Sequence, residues 1–268
     1  MDKIEIKILN PYTIRDTEAI MVAAAKLTQR GHSIKSVADF MDIYAPQPSD
    51  TVIEKLCFLP HPTLQKFTTI NVIVVGASRR FLQQITRHQN EVKFMSGSLQ
   101  YSDYTGTADF VKPYDIIGNP TAEYDYIKSC EAQLETYERL KKDGVKTDDC
   151  GYCLPIGLRN VLLISATPYQ WKHMIHQRIC RRNSDETRYV MLKIWEQLYE
   201  LSPIFRSEDI MPSCVYNYCK EGKMSCGRPL IYNENGQIYS TPTEILQADF
   251  SKIVKEVKND SASIQHNC

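Results

Sequence analysis

The sequence lacks a hydrophobic run long enough to cross a membrane. Its longest apolar stretches, such as residues 70–77, fall far short of the ~20 residues that a spanning helix needs. It also lacks an excess of charge: 32 Lys and Arg balance 32 Asp and Glu, so no net field draws it onto nucleic acid or an anionic membrane. The N-terminal residues contain no cleavable apolar core. We therefore predict a soluble cytoplasmic protein with neither a nucleic-acid nor a membrane partner.

Common catalytic motifs are missing as well. The chain has no Gly-rich phosphate loop and no HExxH sequence, and no cysteine stands with a His and a third orienting group in the context of a nucleophile. Disorder and low complexity are excluded by a composition of 43% hydrophobic and 24% charged residues. The 268 residues predict one large domain or two small ones.

The nine cysteines are an odd number for a disulfide framework, and in a reducing compartment we expect free thiols. Cys150 and Cys153 have the spacing of a redox dithiol, but they follow a long helix and lack the strand-then-helix context of that motif. Cys214, Cys219 and Cys226 would bind zinc only with a fourth ligand, and their spacings are not those of a zinc knuckle. We predict free thiols and no metal, with a zinc-stabilised tail as the alternative.

Hydrophobic periodicity predicts a mixture of strands and helices. Strands are predicted over residues 4–9, 67–75 and 159–166, because these segments are rich in β-branched and apolar side chains. Helices are predicted over residues 16–29 and 121–142, where apolar positions recur at helical spacing.

Local signals place the helix ends. Gly31 and Gly144 end the two long helices, and Thr167 followed by Pro168 starts another. A further helix leaves the residue 76–78 segment and runs to about His88. The remaining predictions are N-caps at Ser33 and Asp50, a capping box of Asn183 with Glu186 on a helix to about residue 202, a hairpin turning at Asn235-Gly236, a helix near 242–257 and a frayed polar tail.

One polar cluster follows the helix that ends near His88. Its side chains supply amide groups, a guanidinium fork and a hydroxyl, which suit a base edge and a phosphate. The alternative is an ordinary polar helix end, since helix C-termini attract Arg and His. The cluster consists of Gln84, Arg87, His88, Ser98 and Gln100.

A second cluster lies at the end of one predicted helix and the start of the next. Arginines around a helix N-terminus form a good anion pocket. The alternative is a set of surface guanidiniums paired with Asp185 and Glu186. The cluster consists of His173, His176, Arg178, Arg181, Arg182 and Arg188.

Taken in order, these segments resemble the flavin-dependent thymidylate synthases. The resemblance covers about residues 1–228, and it depends on the order and spacing of many short matches rather than on any one of them. The matching residues are 24–27, 61–63, 76–79, Gln84, 86–88, 98–101, 154–155, Arg178, Glu186, Arg188 and the cysteine-bearing segment 221–227.

The resemblance implies an α/β (α+β) fold in which long helices flank a central antiparallel or mixed sheet. It implies a homotetramer that binds FAD and dUMP where subunits meet. In the family, methylenetetrahydrofolate supplies the carbon that reaches uracil C5 and NADPH reduces the flavin, with no cysteine nucleophile. The predicted division is a synthase-like domain over residues 1–228 and a C-terminal extension over 229–268.

The resemblance also assigns residues. Arg178 would lie against the pyrimidine as the catalytic residue and stabilise the negative charge that develops there. The dUMP-binding residues would be Gln84, Arg87, Ser98, Gln100 and Arg178. The residues expected to contact FAD are Thr63, Arg87, His88, Gln89, Thr167 and His173.

Departures from the family pattern affect the nucleotide side. Gln89 stands where the family has a second Arg, and Gly151 replaces an Arg that contacts nucleotide. Losing two arginines weakens anion binding unless Arg181, Arg182 or Lys66 compensates. Two alternatives therefore stay open: a flavoenzyme that modifies another pyrimidine nucleotide, and a catalytically inactive nucleotide-binding or structural homologue.

Overall fold

The computed structural model describes residues 1, 3–216, 219–230 and 239–253. At its centre lies a four-stranded sheet of order β1-β2-β4-β3, in which every pair of neighbouring strands is antiparallel. The strands are β1 (Glu5–Ile8), β2 (Ile70–Ser78), β3 (Val92–Ser96) and β4 (Arg159–Ala166). The predicted α/β class with a central sheet is confirmed.

Nine α-helices occur among the described residues. None of these is long and apolar enough to cross a membrane. They are α1 (Thr13–Arg30), α2 (Val37–Tyr44), α3 (Asp50–Cys57), α4 (Arg79–Ile85), α5 (Pro120–Lys142), α6 (Thr147–Cys150), α7 (Pro168–Arg178), α8 (Asp185–Leu201) and α9 (Pro242–Asp249).

Several predicted boundaries are confirmed, and others are wrong. The starts of α2, α3 and α8 follow Ser36, Ser49 and Ser184, not the predicted caps, because a serine hydroxyl or an extended serine backbone stands at each start. Strand β3 was not predicted at all. Of the helix predicted near 242–257, α9 covers Pro242–Asp249, the helix is interrupted at Phe250, and residues 251–253 are again helical. Residues 254–257 and the predicted hairpin at residues 235–236 lie outside the described residues.

Strand β2 ends three residues later than predicted. Gly76 adopts a φ of 82° and forms a bulge opposite β4, so pairing continues to Ser78. A Cβ at Gly76 would lie 2.5 Å from the backbone oxygen of Lys3, which excludes any larger residue from this position without a shift of backbone. The bulge delivers Ser78 to the start of α4, where its hydroxyl accepts a hydrogen bond from the backbone N–H of Phe81.

The two faces of the sheet differ. One face packs into the core through residues such as Val72 and Leu162, while the opposite face exposes Val75, Val161 and Leu163. Helix α8 is the central core helix, and its Trp195 is buried and donates a hydrogen bond to the backbone oxygen of residue 205.

Helix α9, which lies in the predicted extension, packs on α8. Phe250 meets the ring of Tyr189 edge to face, and the Arg188 guanidinium lies 5.3 Å from the Phe250 ring centroid. Asp249 forms ion pairs with Arg181 and Arg188. These contacts hold the described C-terminal part against the core, and the division at residue 228 stays a prediction.

Candidate functional site

A cavity of about 980 Å³ opens where the end of α7 meets the loop after α4 and the segment 212–229. Three of the predicted site residues, Arg87, His173 and Arg178, line it. The other lining residues are His176, Gln177, Cys180, Arg181, Arg182, Asn183, Pro212, Ser213, Cys214, Cys219, Lys220, Glu221, Ser225, Cys226, Arg228 and Pro229.

Helix α7 positions the predicted histidines and Arg178. The Thr167 hydroxyl caps its start by accepting a hydrogen bond from the N–H of Gln170, as the sequence predicts. Its buried side includes Trp171, whose indole N–H donates to the backbone oxygen of Ile70. Because that side is anchored in the core, the C-terminal half of α7 is held at the cavity, where His173, His176 and Arg178 line the wall.

Arg178 is held by two specific contacts. Its Nε donates to Nε2 of His88 at 2.8 Å, and its Nη1 donates to the side-chain oxygen of Asn183 at 3.2 Å. Burial lowers the pKa of Arg178, with a smaller contribution from the neighbouring Arg87. The guanidinium is therefore oriented in the plane set by its two partners, while its Nη2 has no partner among the described residues.

His88 is neutral. Burial lowers the pKa of His88 to about 4, and the charges of Arg178 and His173 act in the same direction. A neutral ring that accepts at Nε2 carries its proton on Nδ1. The ring also meets His173 edge to face, with centroids 5.9 Å apart. His88 thus lies behind Arg178 and acts on it as a hydrogen-bond acceptor, a relation that the sequence did not indicate.

Gln84 connects α4 to α8 beside this site. Its side-chain oxygen accepts hydrogen bonds from the hydroxyls of Ser184 and Thr187. Its amide nitrogen has no partner among the described residues, so two donors remain for a ligand.

The Glu186 carboxylate accepts hydrogen bonds from the backbone N–H and the hydroxyl of Ser78, and burial raises its pKa. The capping-box role predicted for Glu186 is therefore wrong, because the carboxylate connects the start of α4 to α8 instead.

Five predicted site residues lie away from this cavity. Thr63, Gln89 and Gln100 are exposed, and the Ser98 hydroxyl accepts hydrogen bonds from two following backbone N–H groups. The Thr167 hydroxyl donates to Glu91 in addition to capping α7. Within one chain, the structure brings together only part of the predicted site.

The arginines and the lysine expected to compensate for lost cations are already engaged. Arg181 binds Asp249 through two nitrogens, and Arg182 pairs with Glu221. Lys66 pairs with Glu91 at 2.8 Å. The expected compensation by these three residues is not supported, because each charge already has a carboxylate partner.

Two other arginines are available on the cavity wall. The side chains of Arg87 and Arg228 have no hydrogen-bond or ion-pair partner among the described residues. Arg228 belongs to the segment after α8 and could not have been assigned from the sequence, where it stands among ordinary tail residues. The sequence matched residues 221–227 of this segment to the family but did not place the segment on the site.

The eight described cysteines are all free. Cys150 is buried and its thiol donates to the backbone oxygen of Val145, and Cys153 is partly exposed. Neither lines the cavity. Four others do: Cys180, Cys214, Cys219 and Cys226.

Comparisons with known proteins agree with this architecture. The chain is 27% identical over 173 residues to a flavin-dependent thymidylate synthase of Thermococcus onnurineus, covering 61% of this chain and 69% of that protein. It is 23% identical over 215 residues to one from Geobacter sulfurreducens, covering 80% and 90%. A solved structure, the UMP/dUMP methylase PolB from Streptomyces cacaoi bound with 5-Br dUMP, superposes with a TM-score of 0.57 at 16% identity, covering 76% of this chain and 93% of that chain.

That structural likeness concerns the fold. The family assignment comes from the match of residues 9–204 to Thy1, the thymidylate synthase complementing protein family. Since the match spans most of the chain, the protein belongs to the Thy1 family as a diverged member.

Proposed function

We propose that this protein is a flavin-dependent methyltransferase that methylates dUMP at uracil C5 to give dTMP, with FAD as cofactor, methylenetetrahydrofolate as carbon donor and NADPH as reductant. The observation that carries the proposal is Arg178, which a neutral His88 and Asn183 orient at the wall of a large cationic cavity. The relatives named flavin-dependent thymidylate synthase support the same activity.

The cavity residues fit a flavin nucleotide. The volume of about 980 Å³ lies at the upper end of the range for cofactor sites. Arg87 offers a phosphate a guanidinium that has no partner among the described residues, and His173, which lines the cavity, offers a ring surface for an isoalloxazine edge. When bound, the flavin supplies the redox and one-carbon transfer chemistry, while the protein supplies orientation and charge.

Arg178 would stabilise the pyrimidine as negative charge develops on it. A guanidinium held in one plane requires little reorganisation when that charge appears. His88 sets this plane without adding a second positive charge, because its ring is neutral.

The nucleotide itself would be held by donors that have no partner in the part of the chain that the structure describes. The Gln84 amide can bind a base edge, and Arg87 and Arg228 can bind the phosphate. We place Arg228 in the role for which the sequence suggested Arg181, Arg182 or Lys66.

The remaining predicted site residues would come from other copies of the chain in a homotetramer. Thr63, Gln89, Ser98 and Gln100 do not line the cavity of their own chain, which is what a composite site requires. The exposed apolar face of the sheet supports association, because strands β2 and β4 present unpaired apolar side chains there. Thr167 would contribute only through its backbone or its methyl group, since its hydroxyl is engaged. The eight described cysteines form no disulfide, as a cytoplasmic location would require.

A second candidate is methylation of another pyrimidine nucleotide. Gly151 packs against Leu99, and a Cβ there would lie 3.3 Å from the Leu99 Cβ. The segment that carries Ser98 and Gln100 therefore lies close to the place where the family has an arginine, which reshapes the nucleotide side.

The test measures release of the C5 hydrogen from labelled dUMP with FAD, folate and NADPH present, together with nucleotide affinity on the FAD-bound protein. Arg178→Lys keeps the charge but loses the planar fork, so we expect turnover to fall more than binding; Arg178→Ala should lower both. No release by the wild-type protein would reject dUMP methylation. Release from labelled UMP in its place would support the second candidate, and a protein that binds no FAD would favour the inactive homologue.

A further inference from the structure

The Gln84 side chain is held from α8 by two hydroxyl groups. Its amide oxygen accepts hydrogen bonds from the hydroxyl of Ser184, at 3.0 Å, and from that of Thr187. Ser184 is the N-cap residue of α8, and Thr187 lies fully buried in the first turn of that helix. The Gln84 side chain is partly exposed, and its amide nitrogen has no partner among the described residues. Gln84 is therefore anchored through its oxygen, and the end that remains for a ligand is its NH₂ group.

The two hydroxyls favour this orientation of the amide over the reversed one. Each hydroxyl carries one proton that needs an acceptor, and the Gln84 oxygen can accept both. In the reversed amide, the buried Thr187 proton would have to go to Ser184 Oγ, 2.9 Å away. That oxygen already accepts the backbone N–H of Thr187 as the cap of α8, so no lone pair would remain for the amide N–H that faces it. The reversed amide loses a hydrogen bond at a partly buried site, which disfavours it.

The same short segment orients the group that the proposed function places against the pyrimidine. Asn183, the residue before Ser184, accepts a hydrogen bond from the Arg178 guanidinium at 3.2 Å. The Asn183 amide nitrogen is itself fixed, because it donates to two backbone oxygens at and after the end of α7. Consecutive residues thus hold the Arg178 guanidinium and the Gln84 amide, and both groups present N–H donors only.

We propose that Ser184 and Thr187 determine specificity for uracil, because they fix the Gln84 amide so that it donates to the C4 oxygen of the base. Cytosine carries an amino group at C4, which is a donor, where uracil carries an acceptor oxygen. Two donors that face each other form no hydrogen bond, so cytosine is rejected. Ser184 and Thr187 act through Gln84 and are positioning residues. The proposal rests on the proposed function for a pyrimidine at this site, and it holds for dUMP and UMP alike, since both carry uracil.

The experiment measures the dissociation constants of dUMP and dCMP by calorimetry on the FAD-bound, full-length protein. The wild-type protein should bind dUMP at least about tenfold more tightly than dCMP, because the dCMP complex contains an unmatched donor pair. Thr187→Val removes one hydroxyl from a buried position at nearly constant shape. Ser184 Oγ can then accept from a reversed amide, so the preference for dUMP should fall at least about fivefold. Thr187→Ser restores the hydroxyl and should restore the preference.

Thr17→Val is the matched control. Thr17 is a buried threonine of α1 whose hydroxyl bonds to Thr13 and Thr68, away from Gln84. The same loss of a hydroxyl there should leave the ratio of the two dissociation constants unchanged.

Ser184→Asp provides an independent test if Thr187→Val folds poorly. Aspartate keeps a cap residue at the start of α8 but replaces a hydroxyl donor with an acceptor, so the Gln84 amide should reverse and present its oxygen. The preference for dUMP should fall at least about tenfold, and this fall should vanish when Gln84→Ala is combined with Ser184→Asp. The added charge acts equally on both nucleotides and cancels in the ratio.

The outcomes separate this proposal from the proposed function. Wild-type protein that binds FAD but no dUMP would overturn both. Tight dUMP binding with an equal affinity for dCMP, or a preference that Thr187→Val and Ser184→Asp leave unchanged, would overturn the role of Ser184 and Thr187 while the proposed function stands.

Discussion

Because His88 is neutral in the folded protein, it makes the free energy of unfolding depend on pH. A single substitution of His88 should remove this contribution to the pH dependence. His88 is 7% exposed and accepts a hydrogen bond from Arg178. In His88→Gln, the side-chain oxygen of Gln can still accept from Arg178, but the side chain takes up no proton at any accessible pH. Wild type and variant therefore differ chiefly in one titrating group.

The magnitude follows from the shift of the His88 pKa. Burial lowers it from 6.5 to about 4 in the folded protein, so on acidification the unfolded chain takes up the proton first. The stability contributed by neutral His88 is complete above pH 6.5 and is lost as the pH falls through 4. At 1.36 kcal/mol per pKa unit, the wild-type protein should lose about 2 kcal/mol between pH 7.5 and pH 5 through this group.

The assay is urea unfolding of both proteins at pH 7.5 and pH 5, at one protein concentration so that any association is matched. His173 also has a pKa lowered by burial, but its other causes are His176 and Arg178, which both proteins retain. The difference between the two pH dependences therefore isolates His88. Equal losses of unfolding free energy in wild type and variant would refute the neutral, buried histidine.

Other perturbations test the rest of the structure. Asp249→Asn removes the carboxylate charge shared by Arg181 and Arg188, and thermal unfolding should show a loss of about 3 kcal/mol, typical of a broken buried ion pair; an unchanged midpoint would mean that the pairs contribute nothing. Serine at both Cys150 and Cys153 should leave flavin reduction and product formation intact, because neither thiol lines the cavity; total loss with fold and FAD retained would restore the redox interpretation. Light scattering at micromolar concentration should give a tetramer, and a stable monomer would contradict the composite site.

Local chemistry in the sequence determined much of the secondary structure. Strand β4 matches its predicted bounds, since its apolar run over residues 161–164 lies between a loop that contains Pro155 and Gly157 and the Thr167-Pro168 helix start. Helices α1 and α5 end beside Gly31 and Gly144 as predicted. Helix caps and helix-ending glycines act on residues within about one helical turn, so they do not depend on contacts with distant parts of the chain. Where several polar residues competed as caps, as around Ser36 and Ser184, the sequence alone chose the wrong one.

The order of motifs along the sequence was also sufficient to identify the family and to single out Arg87, His88 and Arg178. The availability of each charge was decided only by the tertiary structure. Arg181 and Asp249 stand 68 residues apart, so nothing local shows that this arginine is engaged while the Arg228 side chain has no partner among the described residues. The same holds for His88, whose charge state depends on burial and on an arginine 90 residues away. The sequence gives the identity and the spacing of the functional groups. Their desolvation and pairing, which set their charge state and their availability to a ligand, arise only when distant segments pack together.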